Sequence, residues 1–220
     1  MLTEKLMEIY QLLLERFCHQ QWWPSDGRFE TIVGAILTQN TNWGNVEKAL
    51  ANLKKAEALD VRRLYEMPQE SLAELIRPSG YYNIKAGRLK NFLNWLFENY
   101  DGDLDALANM SVYSLREELL SVKGIGRETA DSILLYAFEK PSFVVDTYTC
   151  RVVVRHGLIE PEAGYEQVKE MFESSLEADA RLYNEYHALL VNVGKNYCKP
   201  SPKCEDCPLN CLPHEIEERY

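Results

Sequence analysis

Residues 115–136 have the sequence LREELLSVKGIGRETADSILLY, in which two amphipathic segments flank the turn VKGIG, residues 122–126. The two glycines of this turn can take positive φ and leave their backbone amides uncovered. A turn of this kind that opens a helix presents N–H groups to an anion, and a DNA phosphate is the natural candidate. The alternative is a tight helix connection without a ligand, because short glycine motifs are weak signals. The predicted DNA contacts, two of which add positive charge, are Lys123, Gly124, Ile125, Gly126 and Arg127.

The apolar residues outside this turn also recur at helical spacing. One series runs from Leu2 to Leu13, and others occupy residues 53–67 and 89–96. Strict alternation of apolar and polar residues is missing. The nearest candidate for a strand, FVVDTY at residues 143–148, has an apolar part too short to found a sheet. The pattern predicts an all-α protein.

Breaks in this pattern predict how the chain is divided. Residues 29–138 are expected to form one helical bundle, with a helix-hairpin-helix over about 112–138. Residues 1–28 and 139–195 are expected to form a second lobe of terminal helices, and residues 196–220 a cysteine-rich loop and tail. Two lobes leave a groove between them, where ligand sites commonly lie.

The composition is that of a globular chain with an acidic balance. At 220 residues and 46% hydrophobic content, the chain can bury one sizeable core or two smaller ones that share a cleft. A net charge of −10 argues against coating nucleic acid by bulk electrostatics, since neutralising phosphates needs Lys and Arg. A DNA-binding protein of this charge has to concentrate its few positive groups or use backbone amides.

The N-terminal segment, MLTEKLMEIYQLLLERF, lacks the continuous apolar run of a signal peptide or a membrane span. This predicts a cytoplasmic protein, nucleoid-associated if prokaryotic, with no membrane partner. We also expect a monomer.

Four of the six cysteines crowd into the last 23 residues: Cys198, Cys204, Cys207 and Cys211. In a reducing compartment such a group indicates a metal rather than disulfides. Four thiolates suit either zinc or a [4Fe–4S] cluster, and the single Cys-x2-Cys pair differs from the two pairs usual in zinc ribbons. Spacing alone does not separate a [4Fe–4S] cluster from zinc. The remaining Cys18 and Cys150 lie within apolar-periodic segments and are predicted to be buried.

Three tryptophans stand beside polar and turn residues, in QWWPSDGRFE at residues 21–30 and GAILTQNTNW at residues 34–43. A flipped base is held by stacking between aromatic faces, and a base made cationic by alkylation also gains cation–π attraction. The alternative is structural, with Trp22 and Trp23 filling the seam between lobes and Trp43 packing against the bundle. A base pocket is therefore one of two hypotheses for these residues.

A second basic stretch, Arg77-Pro-Ser-Gly80 followed by Lys85 and Arg88, predicts a turn that feeds a helix. Its basic side chains either meet phosphates or form an ordinary solvated helix face. Both interpretations place these side chains at the surface.

Several of these motifs together resemble a known family. The hairpin, the segment FVVDTYTCR at residues 143–151 and the terminal cysteines follow one another as in the endonuclease III superfamily of helix-hairpin-helix DNA glycosylases. WWP, LTQNT, RPSGYYNxKA and KGIG, between about Trp22 and Val154, look like 3-methyladenine DNA glycosylase III. The resemblance implies a two-lobed helical fold and a double-stranded DNA substrate containing a damaged base. It also implies a C-terminal [4Fe–4S] cluster, although the first and last cysteine gaps are typically longer in the family.

The resemblance implies roles for individual residues as well. Asp146 matches the catalytic aspartate, and Gln39 matches a residue that enters the space left by the extruded base. Lys195 matches a position near the active site of some relatives. The family residue at the Trp43 position is often Phe. The implied base pocket consists of Trp22, Trp23, Pro24 and Trp43.

One departure from the family decides the expected chemistry. Bifunctional members carry a lysine just after Gly-x-Gly-Arg, and its amine attacks the sugar C1′ to form a Schiff base. Glu128 occupies that position here, so we expect no strand cleavage by β-elimination. Asp146 is then the main catalytic group, because a carboxylate can stabilise an oxocarbenium-like state and orient or deprotonate water. The alternative for Asp146 is a simple N-cap of the helix that starts near Thr147.

These observations predict a monofunctional DNA glycosylase of base excision repair that flips out an alkylated purine, such as 3-methyladenine, and hydrolyses its N-glycosidic bond. Two alternatives stay open. One is a glycosylase for mismatched, deaminated or oxidised bases, and the other is a non-catalytic DNA-binding module that senses damage or redox state.

Overall fold

The computed structural model of the protein describes residues 2–216. Those residues form helices, turns and loops without a β-strand, which confirms the all-α prediction. The last part of the predicted tail, residues 217–220, lies outside the described residues. The α-helices are α1 (Leu2–Phe17), α2 (Arg28–Leu37), α3 (Trp43–Lys55), α4 (Val61–Glu66), α5 (Gln69–Leu75), α6 (Tyr82–Tyr100), α7 (Leu104–Ala108), α8 (Val112–Ser121), α9 (Arg127–Ser132), α10 (Thr147–Arg155), α11 (Tyr165–Ser175) and α12 (Ala180–Asn196). A 3-10 helix (Arg77–Ser79) precedes α6, and a π-helix (Ile133–Ala137) continues α9.

Residues 25–140 form one compact unit, called the central unit here, which contains α2 to α9. Helix α2 is buried from Glu30 to Leu37, and α6 turns an apolar face to the same core. Each large apolar side chain buried there contributes about 1.5–3 kcal/mol by leaving water. The buried face of α6 includes Leu89, Phe92, Leu93 and Leu96.

Charged and polar side chains fix the helix ends of this unit. Asp60 and Ser111 accept hydrogen bonds from backbone amides at the starts of α4 and α8, each cap contributing about 1 kcal/mol. Arg116 on α8 donates from Nε to Oδ1 of Asp131 on α9 at 2.8 Å. This pair, buried at Asp131 and half-buried at Arg116, ties together the two helices that flank the hairpin turn.

Of the described residues, 2–24 and 141–216 form the second compact unit, called the terminal unit here, with α1 and α10 to α12. Its core buries Leu6, Ile9 and Leu13 of α1 at helical spacing. Phe143 stacks on Phe172 with 3.9 Å between ring centroids. No helix within residues 2–216 has both the length and the apolarity needed to cross a membrane.

Three side chains lie elsewhere than the sequence predicts. Cys18 is exposed because α1 ends at Phe17, and Cys150 is half-buried, so the prediction of two buried thiols is wrong. Lys85 is buried, and its Nζ donates to the carbonyl oxygens of Leu37 and Ser79 at 2.8 and 2.6 Å. It therefore meets neither phosphate nor solvent. Its ammonium group instead satisfies backbone carbonyls at the end of α2 and shortly before α6.

Candidate active site

The hairpin turn between α8 and α9 keeps two backbone amides available. Gly124 has a φ of 101°, a conformation that favours glycine, whereas the φ of Gly126 is negative. Ile125 donates its amide to the carbonyl of Val122 at 3.0 Å and buries its side chain in the core. The amides of Gly124 and Gly126 donate no hydrogen bond to any group within residues 2–216. Two amides of one turn therefore remain for an anion.

Side chains from neighbouring elements hold this turn in place. Gln39 donates from Nε2 to the carbonyl of Gly124 at 3.1 Å and to Oγ1 of Thr129 at 2.9 Å. Arg88 of α6 donates to Oε1 of Gln39, and a Cβ on Gly124 would lie 2.5 Å from Cγ of Arg88. Gln39 braces the hairpin in this arrangement, and its entry into the space of an extruded base stays a prediction.

The charges next to the turn are exposed. Lys123 and Arg127 flank the two glycines, and both side chains reach the surface. Glu128, in the first turn of α9, is exposed as well. The hairpin thus offers local positive charge beside its free amides, which suits a phosphate better than the net charge of the chain does.

Asp146 is the N-cap of α10 in the terminal unit. Its Oδ1 accepts a hydrogen bond from the backbone amide of Thr149 at 2.7 Å. Its Oδ2 lies 3.6 Å from Nε2 of His187, a residue of α12, and the Asp146 side chain is 13% exposed. One carboxylate oxygen therefore caps the helix, and the other lies outside the cap beside the imidazole.

Opposing effects set the charge of Asp146. Burial alone would raise the pKa of this carboxyl group, since the carboxylate loses hydration. The His187 imidazole and the Thr149 amide outweigh burial and hold the pKa of Asp146 below its usual value. The group is therefore ionised at neutral pH, the form that stabilises a developing positive charge.

The tryptophans predicted to form one pocket belong to two units. Trp22 and Trp23 follow α1 in the terminal unit and meet edge to face, with 6.1 Å between centroids. Nζ of Lys195 lies 5.7 Å from the Trp22 ring centroid, a cation–π contact. Pro24 is exposed. Trp43 begins α3 in the central unit, where it packs half-buried against the core of that unit.

A polar network anchors the loop that carries Trp22 and Trp23. The backbone amide of Gln20 donates to Oε1 of Glu185 at 2.7 Å, and Nδ2 of Asn192 donates to the Gln20 side-chain oxygen. The side-chain nitrogen of Gln20 donates to the carbonyl of Phe17 at 2.7 Å. Helix α12 therefore holds the tryptophan loop through Glu185 and Asn192.

His187, Gln20, Glu185 and Asn192 are candidate site residues that sequence reasoning missed. Each is a single polar residue without a motif around it, and the partner of Asn192 is 172 positions away. No local signal could have found them.

The C-terminal cysteines converge in the terminal unit. Cys198, Cys204 and Cys207 line one cavity, and Arg155 donates from Nη1 to Sγ of Cys198 at 3.3 Å. Burial raises the pKa of Cys207, a backbone hydrogen bond at Leu209 partly opposes it, and the three other thiols nearby raise it further. The described residues hold no group of three or more His, Cys, Asp or Glu side chains already arranged around a metal position. Four interacting thiols are nonetheless a soft donor set of the kind that suits a [4Fe–4S] cluster or zinc.

Comparison with known families and proteins places this geometry in context. Residues 33–178 match the family described as HhH-GPD superfamily base excision DNA repair protein. A protein of Methanocaldococcus jannaschii, provisionally named a DNA repair glycosylase, is 48% identical over 213 residues, which cover 95% of this chain and 96% of that protein. Endonuclease III of Thermotoga maritima is 33% identical over 181 residues, which cover 81% of this chain and 79% of that protein.

A solved structure agrees with these matches. H. pylori 3-methyladenine DNA glycosylase, bound to 1,N6-ethenoadenine, superposes with a TM-score of 0.74 at 32% identity, over 88% of this chain and 97% of that one. The matched family region spans more than half of the chain and includes both the hairpin and Asp146. The chain therefore belongs to the HhH-GPD superfamily of base excision DNA repair proteins, which makes it a DNA glycosylase of that repair pathway.

Proposed function

We propose that the chain is a monofunctional glycosylase that releases an alkylated purine, such as 3-methyladenine, from duplex DNA by hydrolysis. The observation that carries this proposal is Asp146, an ionised carboxylate with Oδ1 bound to the Thr149 amide and Oδ2 beside His187. An N-glycosidic bond breaks through an oxocarbenium-like state, which a fixed negative charge stabilises. The same carboxylate can orient a water molecule or accept its proton.

Hydrolysis without strand cleavage is supported by Glu128 in the first turn of α9. Attack at C1′ to form an imine requires a nucleophilic amine, and a carboxylate cannot form that intermediate. The resemblance places the lysine of bifunctional relatives at this position. We therefore assign the attack at C1′ to water.

The purine assignment draws on the tryptophan pair and on a relative. Alkylation at a ring nitrogen makes a base cationic, so it leaves readily and gains about 0.5–2 kcal/mol from contact with an indole face. The H. pylori relative is a 3-methyladenine glycosylase and holds an ethenoadenine. We propose Trp22 and Trp23 as stacking residues beside Pro24 in the terminal unit, and a role for Trp43 of the central unit stays a sequence-based prediction.

DNA binding is assigned to the hairpin. The free amides of Gly124 and Gly126 would bind one phosphate, and Lys123 and Arg127 would add charge beside it. The side chain of Ile125 is buried, so we propose that this predicted contact residue contributes by shaping the turn.

Product identification on defined duplexes tests the proposal. Each duplex carries one lesion: a methylated purine, ethenoadenine, a deaminated base, an oxidised pyrimidine or a mismatch, and mass spectrometry identifies the released base. We expect a free alkylated purine and an intact abasic strand until alkali is added. If the protein releases only oxidised, deaminated or mismatched bases, the substrate assignment is contradicted.

Asp146→Asn is the matched variant for this experiment. Asparagine also caps helices, so the hydrogen bond from the Thr149 amide and the fold are retained. We expect base release to fall by about 10²-fold or more, with DNA binding unchanged. Full activity in this variant would remove Asp146 from the chemistry.

A second candidate is an activity like that of endonuclease III, favoured by the 33% identity to the T. maritima protein. Strand breaks that appear without alkali, together with a trapped covalent enzyme–DNA adduct on borohydride reduction, would establish it. The same result would contradict the monofunctional proposal, because it requires an amine nucleophile that Glu128 does not supply.

We also propose that Cys198, Cys204, Cys207 and Cys211 hold a [4Fe–4S] cluster. When bound, the cluster would cross-link the terminal loop. Arg155 of α10 would support this loop through its bonds to Cys198 Sγ and to the carbonyl of Lys199 at 2.7 Å. We expect a broad visible absorption band and equal amounts of iron and sulfide, both lost in Cys204→Ala. A colourless protein that contains zinc would overturn the assignment.

A further inference from the structure

We propose that His187 is a positioning residue for Asp146, an inference that rests on the proposed function. Nε2 of His187 lies 3.6 Å from Oδ2 of Asp146, and the two side chains are 7% and 13% exposed. This separation is longer than a normal hydrogen bond, so the contact is a polar one that becomes an ion pair when the imidazole is protonated. In a buried setting such an attraction is screened less than at the surface.

The geometry leaves the Asp146 carboxylate little freedom. The terminal torsion of an aspartate is broad, so a single hydrogen bond from the Thr149 amide to Oδ1 would still let Oδ2 swing. The imidazole beside Oδ2 restricts that rotation. Two helices therefore set the plane of the carboxylate, α10 through its backbone amide and α12 through His187.

The surroundings of His187 argue for a role beyond packing. Its neighbours on α12, Tyr186, Ala188, Leu189 and Leu190, are all buried. An aliphatic side chain would fill the same volume without the free-energy cost of burying a polar ring. One group that lowers this cost is the carboxylate of Asp146, the residue that the proposed reaction uses.

For the proposed reaction, His187 affects the orientation and the charge of the Asp146 carboxylate. His187 acts through Asp146 and exchanges no proton with the DNA in this assignment. It keeps the carboxylate ionised and aimed in one direction while the glycosidic bond breaks.

A measurement without substrate tests this inference independently of activity. Carbon-13 NMR of aspartate-labelled protein gives the titration midpoint of the Asp146 carboxyl group in wild type and in His187→Phe. Loss of the imidazole removes a favourable partner of the carboxylate, so we expect the Asp146 midpoint to rise in His187→Phe. Every other titratable group on α10, α11 and α12 is common to wild type and this variant.

Tyr183→Phe is the matched control on the same helix. Tyr183 is buried, and its hydroxyl has no hydrogen-bond partner among the described residues. Its ring contacts Phe143 with 5.3 Å between centroids, a contact that phenylalanine keeps. We expect the Asp146 midpoint and the base-release rate of Tyr183→Phe to match those of wild type.

Single-turnover kinetics supply the second readout, on the lesion that wild type releases. His187→Phe should slow base release by up to about a hundredfold with an unchanged dissociation constant for DNA. The acid limb of its pH–rate profile should move to higher pH. His187→Gln, which returns an N–H donor, should recover part of the rate, and it keeps the test available if His187→Phe does not fold.

Two outcomes separate the failures. A midpoint and a rate for His187→Phe equal to those of Tyr183→Phe would overturn the positioning role. A wild type that releases no base from any lesion would overturn the proposed function, and the carboxyl titration would then decide the role of His187 by itself.

Discussion

Asp146 caps α10 with one carboxylate oxygen, and the proposed reaction uses the other. A carboxylate has two acceptor atoms, so a hydrogen bond to the Thr149 amide does not exclude a catalytic role for Oδ2. The cap also rigidifies the side chain on which the proposed reaction depends. Asparagine can take over the cap but not the charge, which makes Asp146→Asn a test of chemistry rather than of folding.

Lys85 leads to a prediction about stability and pH. Burial, and less strongly the charge of Arg88, lower the pKa of Lys85 from 10.5 to about 8. As the pH rises above about 8, the folded protein loses this proton while the unfolded chain retains it up to 10.5. Below pH 8 the buried charge therefore lowers the free energy of unfolding by its full amount. Between pH 8 and 10.5 the free energy of unfolding rises again as the folded protein loses the proton.

Lys85→Met removes this titration and also takes the donor from the carbonyls of Leu37 and Ser79. At pH 7 we expect the free energy of unfolding to fall by about 1–3 kcal/mol. The gap between wild type and variant should widen up to about pH 10, as measured by urea denaturation across that range. A variant more stable than wild type at pH 7 would show that the buried charge outweighs the two hydrogen bonds.

The hairpin as an element depends on Gly124 more than on Gly126. Alanine at Gly124 would combine a positive φ of 101° with a Cβ 2.5 Å from the Arg88 side chain. We expect Gly124→Ala to lower the free energy of unfolding by about 1–3 kcal/mol, measured by denaturation, and to weaken DNA binding.

Gly126→Ala is the control for this prediction. No atom lies within 4 Å of a Cβ at this position, and the φ is negative. Its free energy of unfolding should change by less than about 0.5 kcal/mol. Alanine caps a helix less well than glycine, but it also stabilises the fold by making the unfolded chain less flexible, and the two effects oppose each other. If a phosphate sits against the turn, the added methyl should still reduce DNA affinity. Unchanged DNA affinity in Gly126→Ala would show that no phosphate binds on that side of the turn.

The packing of α10 on α12 depends on Gly194. A Cβ there would lie 2.5 Å from Cδ1 of Tyr148, so alanine forces the two helices apart. We expect Gly194→Ala to lower the free energy of unfolding by about 1–3 kcal/mol despite the better helix propensity of alanine. Base release should also fall, because the Asp146–His187 contact joins the same two helices.

Gly87→Ala on α6 provides the comparison for Gly194→Ala. The nearest atom to its Cβ is in the Gln69 side chain at 3.8 Å, an ordinary contact. Alanine should stabilise α6 by up to about 1 kcal/mol. Thermal denaturation of the two variants should therefore give shifts of opposite sign, and equal shifts would contradict close packing at Gly194.

Elements that depend on local signals could be predicted from the sequence, whereas polar partners could not. Helical periodicity and two glycines indicate α8, the turn and α9 without knowledge of the rest of the chain. Gln39 reaches Gly124 across 85 positions, and no pattern marks that pair. The burial of Lys85 could not be predicted from local sequence either, because it depends on carbonyls that belong to other parts of the chain.

At the scale of the whole molecule, the charge of the chain opposes its function. The net charge of −10 repels the DNA backbone, so attraction has to be local. In the proposed binding mode, the hairpin meets this need with two backbone amides and with Lys123 and Arg127, since amides bind phosphate without adding a titratable charge.

This arrangement predicts a weak dependence of DNA binding on salt. Each neutralised phosphate contributes about −0.9 to the slope of log K against log salt, so contacts to about two to four phosphates give a slope of roughly −2 to −4. Fluorescence anisotropy with a lesion duplex over a range of salt concentrations measures this slope.

Lys123→Ala should reduce the magnitude of the slope by about 1. Lys5→Ala, on an exposed position of α1, changes the net charge equally and should leave the slope unchanged. A slope steeper than about −6 would mean that basic residues outside the hairpin dominate binding, and the local-attraction argument would fail.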